Sequence, residues 1–259
     1  MQVKIQVKTL KAALAACVLF GAASASASEP MMTYEKQNWS WQGIFGTYDR
    51  GQLQRGLQVY KSVCATCHSL KYVAFRNLAD FGYSDSDIKA FAKTFEVDNA
   101  EPNAEGAMFK RPGRPDDYFP SPYPNDNAAR AANNSALPPN LSLIVEARAG
   151  GADYLYALLT GYKDAPKAVK MNEGMSYNTA FTGHQIAMPS PLSDGAVEYK
   201  DGTKPTIKQM STDVTAFLAW ASEPNLEQRK SMGIKVMLFL FAFLFVLIAM
   251  KRRTWADVH

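Results

Sequence analysis

The sequence is 259 residues long, 47% apolar and 20% charged, with a formal net charge of +4 from 28 basic and 24 acidic residues. Seven of the basic residues (Lys4, Lys8, Lys11, Lys235, Lys251, Arg252 and Arg253) and one acidic residue, Asp257, lie in the terminal segments, leaving residues 28–231 with 21 basic and 23 acidic side chains. The basic excess therefore serves targeting and topology and excludes nucleic-acid binding by net charge, while the mildly acidic middle suits either a basic partner or an ordinary solvated surface.

The first element in chain order is an export signal. Three lysines precede an apolar run from Ala12 to Phe20, and small residues end in Ala25-Ser26-Ala27. This is the charged, apolar and small-residue pattern of a secretory signal peptide spanning 1–27. The run is too short to cross a bilayer, which needs about 20 residues. The following region, 28–231, is long enough for one domain with a real core.

Within that domain, Leu53, Leu57, Tyr60 and Cys64 fall at helical spacing and predict a helix from about Gly51 that delivers the cysteines at its end. Ser84 and Asp87 form a capping-box pattern, with Ile88, Phe91 and Phe95 as the apolar stripe behind it. From Glu96 to Ala136 a chain rich in Pro, Asn, Asp and Gly, with Pro112, Pro115, Pro120, Pro122 and Pro124 among them, predicts an irregular segment packed on the surface. Helices are expected at Leu141–Ala149 and Ala152–Thr160, closed by Gly150-Gly151 and Gly161 respectively. Residues 162–205 read as irregular. A last domain helix is expected from about Ser211 to Ala221, followed by a short polar linker, Glu223 to Ser231.

Met232 to Met250 is long and apolar enough for a transmembrane helix, with Lys235 near its start able to snorkel. Lys251, Arg252 and Arg253 then place the 251–259 tail in the cytoplasm by the positive-inside rule. Export signal and anchor together predict an outward-facing domain on a single membrane span.

The chain has three cysteines, and Cys17 falls in the export signal. The other two stand in Cys64-Ala65-Thr66-Cys67-His68, the attachment motif of a c-type haem. Each part has a chemical reason. Two thiols three residues apart can add across the two vinyl groups of the ring, and the adjoining imidazole of His68 is then placed beneath the iron. A thioredoxin-like Cys-x-x-Cys would need a surrounding α/β pattern, which is missing here. A zinc site would need two further ligands, and His184 is the remaining histidine of the domain.

The second axial ligand is open on spacing alone. Met108, Met171, Met175, Met188 and Met210 are candidates, and His184 is another. Met188 stands among prolines in Ile186-Ala187-Met188-Pro189-Ser190-Pro191, which hold the chain extended, whereas Met210 reads as core. His–Met ligation gives a raised potential suited to electron transfer. No other catalytic constellation is evident; the Asp116-Asp117 pair reads as solvated.

The assembled pattern resembles the cytochrome c1 family of the cytochrome bc1 complex. The segments that carry the likeness are Gln54-Arg55-Gly56-Leu57-Gln58-Val59-Tyr60, Arg130-Ala131-Ala132-Asn133-Asn134, Leu137-Pro138-Pro139, Leu159-Thr160-Gly161-Tyr162, Ile186-Ala187-Met188-Pro189, Trp220-Ala221-Ser222-Glu223-Pro224 and Met250-Lys251-Arg252. The resemblance covers nearly the whole chain after the export signal. It implies a mainly α, cytochrome c-like haem domain with long loop insertions plus one C-terminal transmembrane helix. It also implies a single covalent haem c on Cys64 and Cys67, with His68 and Met188 as iron ligands. Arg148 corresponds to the arginine near a haem propionate, and Asn133, Pro139 and Tyr154 to pocket residues. The family's haem takes an electron from the Rieske iron–sulfur protein and passes it to a soluble or tethered cytochrome c, beside cytochrome b in a dimeric complex. Two departures stand out: the extra cysteines of mitochondrial members and the additional disulfide of some bacterial members are both lacking. With its simple export signal, the chain is expected in a bacterial inner membrane, haem domain in the periplasm.

Overall fold

A computed structural model describes residues 32–257, so the export segment 1–27 lies outside the described residues. Helix α1 spans Arg50–Ser62 and starts where the Asp49 carboxylate accepts the Gln52 amide at 3.0 Å. Its Leu53, Gly56, Leu57 and Tyr60 recur every three or four residues and are all buried. The stripe lies against α5, Ile207–Ser222, the most extensive pairing of elements in the domain. Gly56 is at the crossing: a Cβ there would sit 2.1 Å from the Asp213 carbonyl oxygen and 2.6 Å from Phe217 Cβ. Only hydrogen lets the two backbones approach this closely.

An aromatic cluster fills the space beside the crossing. Phe81 meets Trp220 edge-on at 4.4 Å, Tyr60 lies 5.6 Å from Phe217, and Phe75 lies 4.6 Å from Phe119. Such tilted pairs add to simple burial by matching ring edges to ring faces. At the outer edge of the same crossing, Arg55 binds the buried Asp213 carboxylate at 3.1 Å and Asp201 at 2.9 Å, so the buried charge of Asp213 is neutralised.

The expected capping box is formed. Helix α2, Asp85–Ala92, opens at Ser84, and the Asp87 side chain accepts the Ser84 amide at 3.1 Å. The proline-rich region is more structured than its composition implies. A two-stranded antiparallel ribbon pairs β1, Glu96–Asp98, with β2, Lys110–Pro112. A short helix α3, Asp126–Ala132, begins just past Pro124, where the Asn125 side chain accepts the Ala128 amide at 2.9 Å. The prolines stop helix before this point, but the cap restarts it.

The expected 141–149 helix is reduced to a 3₁₀ turn, Leu141–Leu143, followed by further turns. Helix α4 runs Gly151–Thr160 and packs on α5. Its buried Asp153 ties down the start of the domain by accepting Trp39 Nε1–H at 2.8 Å and the Gln37 amide at 3.0 Å. A second small ribbon pairs β3, Ser176–Tyr177, with β4, Gln185–Ile186. The fold is mainly α, as expected.

Helix α5 starts four residues earlier than the spacing predicts, because Thr206 caps it by accepting the Gln209 amide. The expected polar linker is largely helical. Helix α6 runs without interruption from Leu226 to Thr254, and its apolar part carries an 18-residue window of mean hydropathy 2.6 with no part buried in protein. A helix of that length and composition can cross a membrane.

Candidate functional site

The cysteines arrive on the end of α1. After Ser62 the chain tightens into a 3₁₀ turn at Cys64–Thr66, in which the Cys67 and His68 amides both donate to the Cys64 carbonyl, at 3.1 and 2.9 Å. The turn brings the two thiols and the imidazole onto one short stretch of backbone. Both thiols are unpaired and half-buried. Burial, reinforced by the neighbouring Cys67, pushes the Cys64 thiol up to about 12, so it stays protonated at neutral pH. The Tyr123 hydroxyl lies 3.9 Å from Cys67 Sγ.

His68 is oriented from across the chain. Its Nδ1 lies 2.9 Å from the Pro139 carbonyl oxygen, a partner that can only accept. Nδ1 therefore carries the proton and Nε2 presents its lone pair. Burial pulls the imidazole pKa down, with the Pro139 bond opposing it, so the neutral ring is favoured. A neutral imidazole with a free Nε2 is the form that ligates iron.

Pro139 is held in place by a stitched pair of segments. The Leu141 amide donates to the Ser69 carbonyl at 2.9 Å, and Asn140 Oδ1 accepts from the Lys71 amide (3.3 Å), the Ser142 amide (3.1 Å) and Ser142 Oγ (2.9 Å). Ser142 Oγ accepts in turn from the Tyr72 amide at 3.1 Å. On the other side the Tyr60 hydroxyl donates to the His68 carbonyl at 3.2 Å. Asn140, Ser142 and Tyr60 are supports that spacing does not reveal, although an Asn before a helical turn is a readable cap.

The ligand candidates downstream separate only in part by burial, since Met171, Met175 and Met188 are all half-buried. Met210 is fully buried inside α5 and Met108 is exposed. His184 is exposed, with Nδ1 3.2 Å from the Asn178 carbonyl and its ring beside Tyr177. Met188 is half-buried against the hydrophobic core, and its backbone is fixed by the Tyr162 hydroxyl, which donates to the Met188 carbonyl at 3.1 Å. Tyr162 is a further residue that the sequence reading did not single out for a role.

Of the remaining expected residues, Tyr154 is buried on α4 with its ring 5.2 Å from Tyr34. Its hydroxyl pKa is raised by burial and by Tyr34, and pulled back by Arg148. Arg148 is exposed on the turn leading into α4 and, among the described residues, its side chain bonds its neighbour's carbonyl, at Ala147. Asn133 closes α3, its side-chain Nδ2 donating to the Ala129 carbonyl at 2.7 Å.

The donor set fits a c-type haem. Two unpaired thiols share one turn with an imidazole whose second nitrogen is already used, and a half-buried thioether stands on a braced loop. Thioether attachment consumes neutral thiols, and one soft sulfur with one imidazole is a low-reactivity ligand pair for iron.

Comparison with known proteins agrees in kind. The model of the Cytochrome C1 family matches residues 39–258. The chain is 47% identical over 260 residues to a protein named cytochrome c1 from Rhodospirillum rubrum, covering 94% of this chain and 95% of that one. It is 48% identical over 221 residues to the mitochondrial cytochrome c1 haem protein of Saccharomyces cerevisiae, covering 85% of this chain and 71% of that one. With a protein named cytochrome b/c1 from Bradyrhizobium diazoefficiens it shares 49% identity over 243 residues, covering 85% of this chain but 35% of that longer one.

Proposed function

The chain belongs to the cytochrome c1 family, a family of haem proteins, and on that footing we propose that it is the electron-transfer haem subunit of a cytochrome b–c1 complex, carrying one covalent c-type haem. The observation that carries this reading is the turn at the end of α1, where Cys64 and Cys67 are followed at once by an imidazole already oriented by Pro139. When bound there, haem supplies a one-electron iron couple.

Cys64 and Cys67 would hold the ring through two thioethers, which keeps the cofactor in an exported protein. His68 through Nε2 and Met188 through its sulfur would be the iron's protein ligands. The Pro139 carbonyl makes His68 a stronger donor and stops the ring from turning. Tyr162 does the equivalent for the Met188 loop by bonding its backbone rather than its sulfur. Both ligands are thus held by groups that do not themselves react, and a preorganised pair needs little rearrangement when charge changes. Arg148, which makes no ion pair among the described residues, is available to a propionate, which a guanidinium can bind through two parallel bonds. Tyr154, Asn133 and Pro139 would line the pocket.

Helix α6 would span the membrane with Lys251, Arg252 and Arg253 on the cytoplasmic side, leaving the domain 28–231 in the periplasm of a bacterial inner membrane. There it would take electrons from a Rieske iron–sulfur protein and pass them to a soluble or tethered cytochrome c, beside cytochrome b in a dimeric complex. A relative in Candida albicans, 49% identical over 222 residues, is named as a catalytic subunit of such a complex, which supports the assignment.

The test is purification of the intact membrane particle under mild detergent. Cytochrome b and an iron–sulfur protein should co-purify, and the band of this chain should stain for covalent haem. A particle with covalent haem but no cytochrome b would instead mark a free-standing anchored cytochrome. A chain without a c-type α-band in the reduced-minus-oxidised spectrum would end the proposal.

A further inference from the structure

The loop between Trp41 and Tyr48 places two large apolar side chains in the open. Trp41 and Tyr48 are buried, at 8% and 5% exposure, whereas Ile44 and Phe45 between them are 68% and 84% exposed. The loop is nevertheless held tightly. The Gln42 amide donates to the Trp39 carbonyl and the Thr47 amide to the Ser40 carbonyl, each at 3.1 Å. At Gly46 the turn is so close that a Cβ would fall 2.0 Å from the Gln42 carbonyl oxygen.

What holds the loop is the first part of α6. Lys230 Nζ donates to the Trp41 carbonyl at 2.5 Å and to the Gly46 carbonyl at 3.0 Å, clasping the loop at both ends. Glu227 accepts the Tyr48 amide at 2.9 Å and pairs with Arg50 at 2.8 Å. Ile44 and Phe45 then line a hollow of about 260 Å³ with Glu227, Lys230, Ser231, Ile234 and Lys235, which share one face of α6 at helical spacing. The same helix continues beyond this hollow as an exposed apolar surface.

The height of the loop follows from the helix. A bilayer's hydrocarbon layer is about 30 Å thick, or about 20 helical residues. Counted back from Met250, just before the basic cluster, that distance reaches Ser231. The hollow is therefore level with the outer boundary of the hydrocarbon, and Ile234 lies within it. Apolar side chains locked at that level meet acyl chains, while Lys235 can extend to the headgroups.

We propose that Ile44 and Phe45 form a second membrane contact of this protein, inserted into the outer interfacial layer of the phospholipid bilayer beside α6. The contact rests on the reading of α6 as the membrane anchor. With one helix alone the domain could adopt many tilts; a second point beside the helix fixes one.

The full-length haem-loaded protein in phosphatidylcholine–phosphatidylglycerol vesicles tests this directly. A nitroxide is attached at Phe45→Cys, with Leu240→Cys as a mid-anchor control and Glu101→Cys as an aqueous control; unsubstituted protein reports any labelling of other cysteines. Phe45 is exposed, so its replacement leaves the loop's bonds intact. The ratio of oxygen to nickel-chelate accessibility at position 45 is expected to rise severalfold above that at 101, toward that at 240. Position 45 behaving like 101 while 240 stays in lipid overturns the inserted loop and leaves the anchor standing. Position 240 behaving like 101 removes the anchor and the loop together. In the purified complex, a spin label at 45 that is immobilised and shielded from both reagents, yet aqueous when the chain is alone in vesicles, assigns the loop to a protein partner and also overturns the proposal.

Discussion

Helix α1 has two kinds of surroundings along its length. Around Gly56 its backbone presses on α5, every apolar side chain is buried, and the nearby charge at Asp213 is matched by Arg55. Two turns later, at Cys64–His68, the thiols and the imidazole are only half-buried, the turn closes on its own Cys64 carbonyl, and the imidazole is bonded to the Pro139 carbonyl of another segment. The first region is complete as protein. The second keeps its reactive atoms free and spends its hydrogen bonds on orientation. Stability and chemistry are therefore separable on one helix, and substitutions should divide along the same line.

The sharpest challenge to that division is Gly56→Ala. The added methyl meets a backbone carbonyl that cannot move without shifting α5, so a loss of about 3 kcal/mol in unfolding free energy is expected by urea denaturation. A loss below about 0.5 kcal/mol would mean that the crossing yields easily and that the core is looser than its contacts imply. Met188→Leu should do the reverse. The swap conserves volume, so stability should change by less than about 1.5 kcal/mol. The potential, however, should fall and the spectrum should lose its thioether-ligand signature. An unchanged potential would take Met188 out of the site.

The smallest effect concerns the edge of the crossing. The Thr203 amide, followed by Arg55, holds the Asp201 carboxyl at about 2, below its ordinary value near 4. A depressed carboxylate stabilises above its unfolded pKa and loses that contribution as pH falls through its folded one. Asp201→Asn should thus cost a little stability at pH 7, converge with the parent protein near pH 2, and so flatten the decline between about pH 4 and pH 2. An identical acid limb in both proteins would show that this exposed group plays no part.

The same contrast explains what the sequence reading could reach. The attachment turn is contiguous, so Cys64, Cys67 and His68 are legible as a pattern. Helices α1, α2 and α4 are also legible, since each has a regular apolar stripe or a cap or stop written locally at Asp49, Ser84 or Gly161. Residues 141–149 read as helix but form turns, because Leu141 and Asn140 are committed to residues 69–71, far away in the chain. Helix α3 was hidden by the prolines before it. The supports of the site were out of reach for the same reason: Pro139 acts on a residue 71 positions earlier, and Tyr162 on one 26 positions later. Such partners are chosen by folding, not by spacing.

The stretch Glu223 to Ser231 reads in the sequence as a polar connector, yet from Leu226 it is the opening of a continuous helix whose Glu227 and Lys230 are bolted to the domain. A tether of loose chain would let the domain swing through an arc; a mast without a joint does not. If α6 is the anchor and the loop at Ile44 and Phe45 its second contact, as proposed, the haem site would be kept at a set altitude above the bilayer, and any travel that brings donor and acceptor within tunnelling range would fall to the molecules that visit it.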